Sequence, residues 1–333
     1  MTDIINRKAD HIKLALQPEH QGQQGSSFDS LRFEPNPLPQ MALQEVELQS
    51  TFLDKPIASP FMIGAMTGGC DNADIINQHL AEAAQICNIP MAIGSQRAAL
   101  EKGLQQNIRQ WAPSAILLGN LGGTQLQQQG LDLAKRAVDS IMADALVIHL
   151  NPLQELIQPN GDRNWNLVLE AIQNCASKLS VPIIVKEVGS GIGPITAQKL
   201  LDAGIQWIEV AGSGGTNWAS IELARNSSPR ECEIAAPFIN WGMGTADILQ
   251  AVHHSCPQLS LIGAGGVRHG LDIARCIRLG AQMAALAKPF LVPALKSTEA
   301  VIEKIEIFQE QLRWAMFLTG SKNLSQLRTA AIQ

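Results

Sequence analysis

Residues 182–215 read PIIVKEVGSGIGPITAQKLLDAGIQWIEVAGSGG. Two short apolar runs, Pro182-Ile183-Ile184-Val185-Lys186 and Trp207-Ile208-Glu209-Val210-Ala211, bracket a helical pattern over Ile195–Ala203. The runs are continuous rather than alternating, the mark of strands buried on both faces, as in parallel sheets. A strand, a helix and a second such strand make a βαβ unit.

The same unit recurs along the chain. Further runs are Pro60–Gly64, Pro90–Gly94, Ala115–Gly119, Ala145–His149, Leu259–Gly263 and Met283–Ala287, for a total of eight. Helical patterns lie between them over Ala73–Cys87, Leu131–Ile141, Trp165–Lys178, Gly244–His253 and Leu271–Leu279, and Val301–Leu318 reads as a C-terminal helix. Eight units predict an α/β fold, a closed (β/α)8 TIM barrel with an N-terminal extension. The extension is expected over residues 1–56 and the barrel with its C-terminal helix over 57–333. A short helical pattern around Arg7–Leu16 precedes a Gln/Gly/Ser/Pro-rich stretch, Gln17–Gln40, too long for an ordinary connector and expected to be a lid or active-site loop. The interval 212–258 reads as an insertion over the barrel mouth.

Bulk properties narrow the function. The 333 residues are 46% hydrophobic and 17% charged, with a net charge of −5 and no basic cluster, so nucleic acid is not expected as a partner. No apolar run is long enough to cross a membrane. The six cysteines stand singly, outside any zinc-like spacing, and suggest reduced thiols in a cytoplasmic protein. There is no tyrosine, which removes any mechanism needing a phenolic acid or oxyanion donor.

In a barrel the C-terminal strand ends converge on one site. Here they are rich in small and amide residues, which lets a flat polar ring lie against backbone. Gly263-Ala264-Gly265-Gly266-Val267-Arg268 sits where barrel enzymes bind phosphate; the alternative is a tight turn that needs glycine. Lys186, at a strand end, either snorkels to water or meets an electron-rich ring at the mouth. Glu209, inside an apolar run, needs a partner, and Lys186 or a nearby amide is the expected one. His149, Asn151 and Glu155 share a loop whose oxygen donors suit Mg²⁺ on a diphosphate, although His149 also fits a core histidine. Arg7, Lys8 and Arg97 supply positive charge, or a solvated surface.

The set Arg7-Lys8-Ala9-Asp10-His11, Met66-Thr67-Gly68-Gly69, Gly94-Ser95-Gln96-Arg97, Gly119-Asn120-Leu121-Gly122, His149 to Glu155, Val185 to Gly189, Gly214 to Trp218 and Gly265-Gly266-Val267-Arg268 resembles the type 2, flavin-dependent isopentenyl-diphosphate isomerases over nearly the whole chain. The resemblance implies reversible conversion of isopentenyl diphosphate to dimethylallyl diphosphate in isoprenoid biosynthesis. It implies reduced FMN as acid/base cofactor, NADPH as reductant, Mg²⁺, and a homo-oligomer, tetramer or octamer. By this similarity Ala65, Met66, Thr67, Ser95, Asn120, Lys186, Thr216, Gly265, Gly266, Arg268, Ala284 and Ala285 would line the FMN. Arg7, Lys8, Ser95, Gln96, Arg97, His149, Asn151 and Gln154 would hold the substrate, Glu155 the metal, and Gln154 and Lys186 would serve catalysis. The family often has Ser where this chain has Asn217, and Ala-Gly where it has Ala284-Ala285. Two other readings share the barrel. A 2-hydroxy-acid oxidoreductase using FMN would need a tyrosine, which this chain lacks, and a His-x-x-Arg-type base region after a late strand, where the stretch near Trp241 offers no histidine; a non-catalytic flavin-binding barrel would have no use for the Arg7-Lys8 and Gln154-Glu155 pieces.

Overall fold

A computed structural model describes residues 10–22, 25–66 and 73–333, so Arg7, Lys8 and Thr67 lie outside the described residues. An antiparallel hairpin, β1 (Ser50–Phe52) and β2 (Lys55–Ile57), precedes eight strands: β3 (Phe61–Ile63), β4 (Met91–Ala92), β5 (Leu117–Gly122), β6 (Ala145–Leu150), β7 (Ile183–Glu187), β8 (Trp207–Glu209), β9 (Ser260–Gly263) and β10 (Met283–Leu286). These eight close into a parallel barrel in sequence order, with β10 pairing β3. Each strand falls within or over one of the eight apolar runs.

Helices α1 (residues 10–15), α2 (Ala73–Cys87), α3 (Arg97–Lys102), α4 (Ile108–Trp111), α5 (Gly123–Ile141), α6 (Pro152–Ile157), α7 (Val168–Ala176) and α8 (Pro194–Asp202) occupy the first half. The second half carries α9 (Trp218–Arg225), α10 (Pro229–Ala235), α11 (Thr245–Ser255), α12 (Gly270–Arg278), α13 (Lys288–Ala294), α14 (Thr298–Leu318) and α15 (Leu324–Leu327).

Strand alternation builds two cores. Ile184, Val147, Leu118, Ile262, Met283 and Ala285 fill the barrel interior. Their neighbours Val185, Ile148, Leu117, Leu261 and Ala284 face outward, against helix residues such as Ala137, Leu200, Ile273 and Phe308. The β1–β2 hairpin, which the sequence pattern did not reveal, sends Phe52 and Ile57 into the interior core. Phe52 meets Trp207 edge-on at 5.0 Å. Burying a side chain of that size contributes about 1.5–3 kcal/mol. The turn escaped notice because Leu53 and Asp54 take positive φ (49° and 60°) without the Asn-Gly or Asp-Gly signal.

Helix α5 starts eight residues before the expected Leu131, at Gly123. Gly130, at φ 65° and ψ −154°, divides it, and only the second half shows the apolar periodicity. Among the described residues, no helix is long and apolar enough to cross a membrane.

Candidate active site

A cavity of about 530 Å³ opens at the C-terminal ends of the strands, within the roughly 300–1,000 Å³ usual for cofactor sites. Its floor divides in two.

The first half comes from β5 to β8. Asn120, His149, Lys186 and Glu209 all line it. His149, Lys186 and Glu209 stand level on adjacent strands. Asn120 Nδ2 donates to the Ile93 carbonyl at 3.0 Å, which fixes the amide so that its Oδ1 accepts from His149 Nδ1 at 2.8 Å. Lys186 Nζ donates to the Glu187 carbonyl at 2.6 Å and pairs with Glu209 Oε1 at 3.2 Å, so Glu209 has the partner that its place in an apolar run required. The Glu187 side chain turns away and accepts backbone N–H groups of residues 188–191. Burial pushes its carboxyl up despite those donors.

Above this floor, α6 presents Gln154 and Glu155. Asn151 Nδ2 donates to Gln154 Oε1 (3.1 Å) and Glu155 Oε1 (3.0 Å), and Asp162 N donates to Glu155 Oε2 (2.8 Å). Gln154 Nε2 donates to Glu222 Oε1 at 2.9 Å. Glu222 is fully buried on α9; it also accepts from Arg225 at 2.7 Å, and His11 Nε2 lies 2.8 Å from its Oε1. Burial opposes its charge, but His11, Gln154 and Arg225 outweigh that and hold the carboxyl below the usual range. His11 also packs edge-on against Trp218, ring centres 5.2 Å apart, which brings α1 to the cavity wall. Glu222 escaped the sequence reading, and His11 and Trp218 entered it only as members of motifs, with no role of their own. The signal was available in α9, where Glu222 shares its buried face with Ala219 and Ile221. Ser95 and Arg97 also line the cavity; Arg97 pairs with Glu101 (2.9 Å) and Asp162 (3.4 Å).

The second half comes from β9, β10 and the segment after β3: Ala264, Gly265, Gly266, Ala285, Ala65 and Met66. A methyl added to Gly265, at φ 88°, would lie 2.0 Å from the Gly212 carbonyl oxygen. Glycine is obligatory there. Thr216, Arg268 and Lys288 complete this side. Arg268 is held by Asp29 and Asp272, both at hydrogen-bond distance, and they drive its pKa further up. Burial pushes the Lys288 ammonium down.

Two expected residues stand elsewhere. Gln96 is fully buried behind β5 and is not on the cavity wall. It donates to the Ala137 carbonyl (3.0 Å) and Ser140 Oγ (2.9 Å), while its Oε1 accepts Asn120 N at 2.8 Å. It holds Asn120's backbone in place and is too far inside the wall to hold substrate. Ala284 faces the outer core, because neighbouring residues on a strand point to opposite faces; only Ala285 reaches the cavity.

Residues 20–22 and 25–26 of the N-terminal extension lie over the mouth. Gly22 N donates to the Gly215 carbonyl (2.8 Å), Asn217 N to the His20 carbonyl (2.9 Å) and Ser26 Oγ to the Gly266 carbonyl (3.0 Å). Asn217, where a serine is frequent, caps α9 through Ser220 N and ties down the Ile239 carbonyl at 2.7 Å.

This arrangement fits FMN. A wall of glycine and alanine, which a Cβ would fill, admits a flat ring and a phosphate against the backbone, and Arg268 and Lys288 supply charge at that end. For a divalent cation the described residues offer no cluster of three His, Cys, Asp or Glu. Glu155 alone with its amide neighbours fits an ion held mainly by substrate phosphates.

Residues 155–333 match the FMN-dependent dehydrogenase family model. Over 99% of its length the chain is 45% identical to isopentenyl-diphosphate delta-isomerase of Stutzerimonas stutzeri, covering 97% of that protein. It is 46% identical to the enzyme of that name from Xanthobacter autotrophicus, over 97% of this chain and 95% of the other. Among solved structures, a flavocytochrome b2 mutant with pyruvate bound superposes with TM-score 0.73 at 18% identity, over all of this chain and 83% of the other. A mandelate oxidase mutant with a monooxide FMN adduct gives 0.67 at 17%, over 97% and 92%. At such identities these structures share the fold alone. The full-length relatives at much higher identity decide the lineage: on the FMN-dependent dehydrogenase barrel, this chain belongs to the isopentenyl-diphosphate delta-isomerase family.

Proposed function

We propose that the chain interconverts isopentenyl diphosphate and dimethylallyl diphosphate, with the FMN phosphate on the glycine and alanine half of the cavity, the ring reaching over Lys186, and the diphosphate toward Arg97 and the Asn151–Glu155 segment. One observation carries this division: a single cavity joins a small-residue wall to a set of amides, a carboxylate and an arginine. The reaction adds a proton at one carbon and removes one from another, so atoms and electrons balance without net oxidation. When bound and reduced, the flavin supplies the acid/base group, since no tyrosine exists and the described wall holds no unengaged acid/base pair.

The chain's residues orient and exclude water. Lys186 offers positive charge to the ring, and Ser95, Asn120 and Thr216 border it. Asn151 and Glu222 lock the Gln154 amide, which leaves Gln154 poised to relay a proton. Arg97, His149 and Asn151, with Arg7 and Lys8, would hold the diphosphate, and Glu155 would contribute a carboxylate to a Mg²⁺ that offsets the diphosphate charge. NADPH would reduce the flavin once, being oxidised to NADP⁺, and the isomerisation cycles that follow would use no further reductant. We further read the protein as a cytoplasmic homo-oligomer, tetramer or octamer; the exposed Phe238 and Trp241, rings 6.0 Å apart, offer an apolar contact.

The test is a visible spectrum of the purified protein before and after dithionite, then an isomerisation assay with Mg²⁺. A flavin spectrum and turnover only in the reduced state are expected. Replacing FMN by 5-deaza-FMN should abolish turnover, and full activity with that analogue would remove the acid/base role.

A further inference from the structure

The polar floor contains a carboxylate that the proposed reaction does not use. Glu209 is 3% exposed and Lys186 is 7% exposed. Strand pairing sets them side by side on β8 and β7, both facing the barrel interior, and both line the cavity. Glu209 Oε1 lies 3.2 Å from Lys186 Nζ, while Glu209 Oε2 is buried and, among the described residues, has no hydrogen-bond partner. A carboxylate kept in an apolar barrel with one oxygen unpaired is costly. Packing alone would be served as well by an aliphatic side chain there, like Ile184 or Ile262 of the same core.

We infer that Glu209 sets the net charge of the cavity floor and, by offsetting Lys186, sets the reduction potential of the flavin bound above it. The inference rests on the FMN reading and concerns a residue to which that reading gives no role. An ammonium close to a flavin favours the reduced anion, because reduction adds negative charge that the cation stabilises. A carboxylate bonded to the ammonium turns that single charge into a short dipole, whose field fades faster with distance. Lys186 uncompensated would hold the reduced ring as its anion. Glu209 tempers this and leaves the ring's basicity available for proton transfer. Glu209 is therefore a positioning residue that acts through charge, without touching substrate.

The test is equilibrium reduction of the FMN-loaded protein against a reference dye, in the wild type, Glu209→Gln, Lys186→Met and the charge-balanced double variant. Glu209→Gln should raise the preference for reduced over oxidised FMN about tenfold, close to 30 mV for this two-electron couple. Lys186→Met should lower it by at least as much. The double variant should return to within about threefold of wild type, and Glu209→Asp, which keeps the charge, should stay near wild type. A merely structural role would not yield opposite shifts that cancel. A preference in Glu209→Gln unchanged within threefold, or single variants that shift in the same direction, would overturn the inference. If Glu209→Gln retains no FMN while the double variant does, a lone buried charge is the cause and the inference stands; if neither retains FMN, side-chain shape rather than charge holds the site and the inference fails. A wild-type protein without flavin would instead defeat the parent reading, and the first spectrum separates that case.

Discussion

The two halves of the cavity are made by opposite means. On the β9–β10 side the chain withdraws: Gly265, Gly266, Ala264 and Ala285 leave room, and the backbone itself is the surface. On the β5–β8 side it reaches inward, with Asn120, His149, Lys186, Glu209 and, above them, Gln154 and Glu155, nearly all tied to one another. A withdrawn wall accepts a large rigid group and does little to it. An inward-reaching wall is suited to ions and protons. On this division, substitutions on the first half should remove FMN, and substitutions of Gln154 or Glu155 on the second should stop turnover while FMN stays.

The sharpest break should come at Gly265→Ala. The new methyl would meet the Gly212 carbonyl at 2.0 Å in a backbone with φ 88°. FMN binding, followed by fluorescence titration, should be effectively abolished; near-native affinity would mean that the loop yields and the wall is not rigid. On the other half, Gln154→Ala should slow turnover by about 100-fold, in the range of a lost proton-transfer group, with FMN affinity within a few-fold of wild type. Loss of FMN instead would erase the distinction between the halves. A finer test uses two adjacent alanines. Ala285→Val, on the cavity face, should weaken FMN about tenfold. Ala284→Val, on the helix face, should cost about 1–3 kcal/mol of stability by overpacking and leave FMN affinity alone. The smallest effect concerns Glu222, whose charge His11, Gln154 and Arg225 favour. Its folded pKa is depressed, so its contribution is complete above the ordinary glutamate value near 4.3 and disappears as the pH falls through the lower folded value. Glu222→Gln should therefore be less stable than wild type by about 1 kcal/mol at pH 7, and denaturant midpoints of the two should converge as the pH falls below the ordinary glutamate range.

Of these halves, the withdrawn one was the more legible in the sequence. Glycines at a strand end announce a backbone surface, and Gly265-Gly266 lie where they were expected. The barrel was legible for the same kind of reason: runs such as Ile183–Val185 are apolar throughout because both faces are buried. The inward-reaching half was legible only in part. Strand residues such as His149 and Lys186 inherit their direction from alternation, so naming them was enough to place them. Gln96 failed that test, because it follows a strand of two residues and its direction is set by Ala137 and Ser140, some 40 positions later in the chain. Glu222 was missed for a related reason. Its importance lies in partners on α1 and α6, and no local pattern reports a contact between residues 11 and 222. The hairpin was hidden by a turn built on Leu53-Asp54.

That hairpin has one more consequence. With Phe52 and Ile57 driven into the interior against Trp207, the N-terminal end of the barrel is corked. Traffic is confined to the opposite end, where residues 20–22 and 25–26 cross the opening. A vessel with one neck empties in reverse order of filling. Whatever rests on the Lys186–Glu209 floor leaves by the same neck as whatever lies above it.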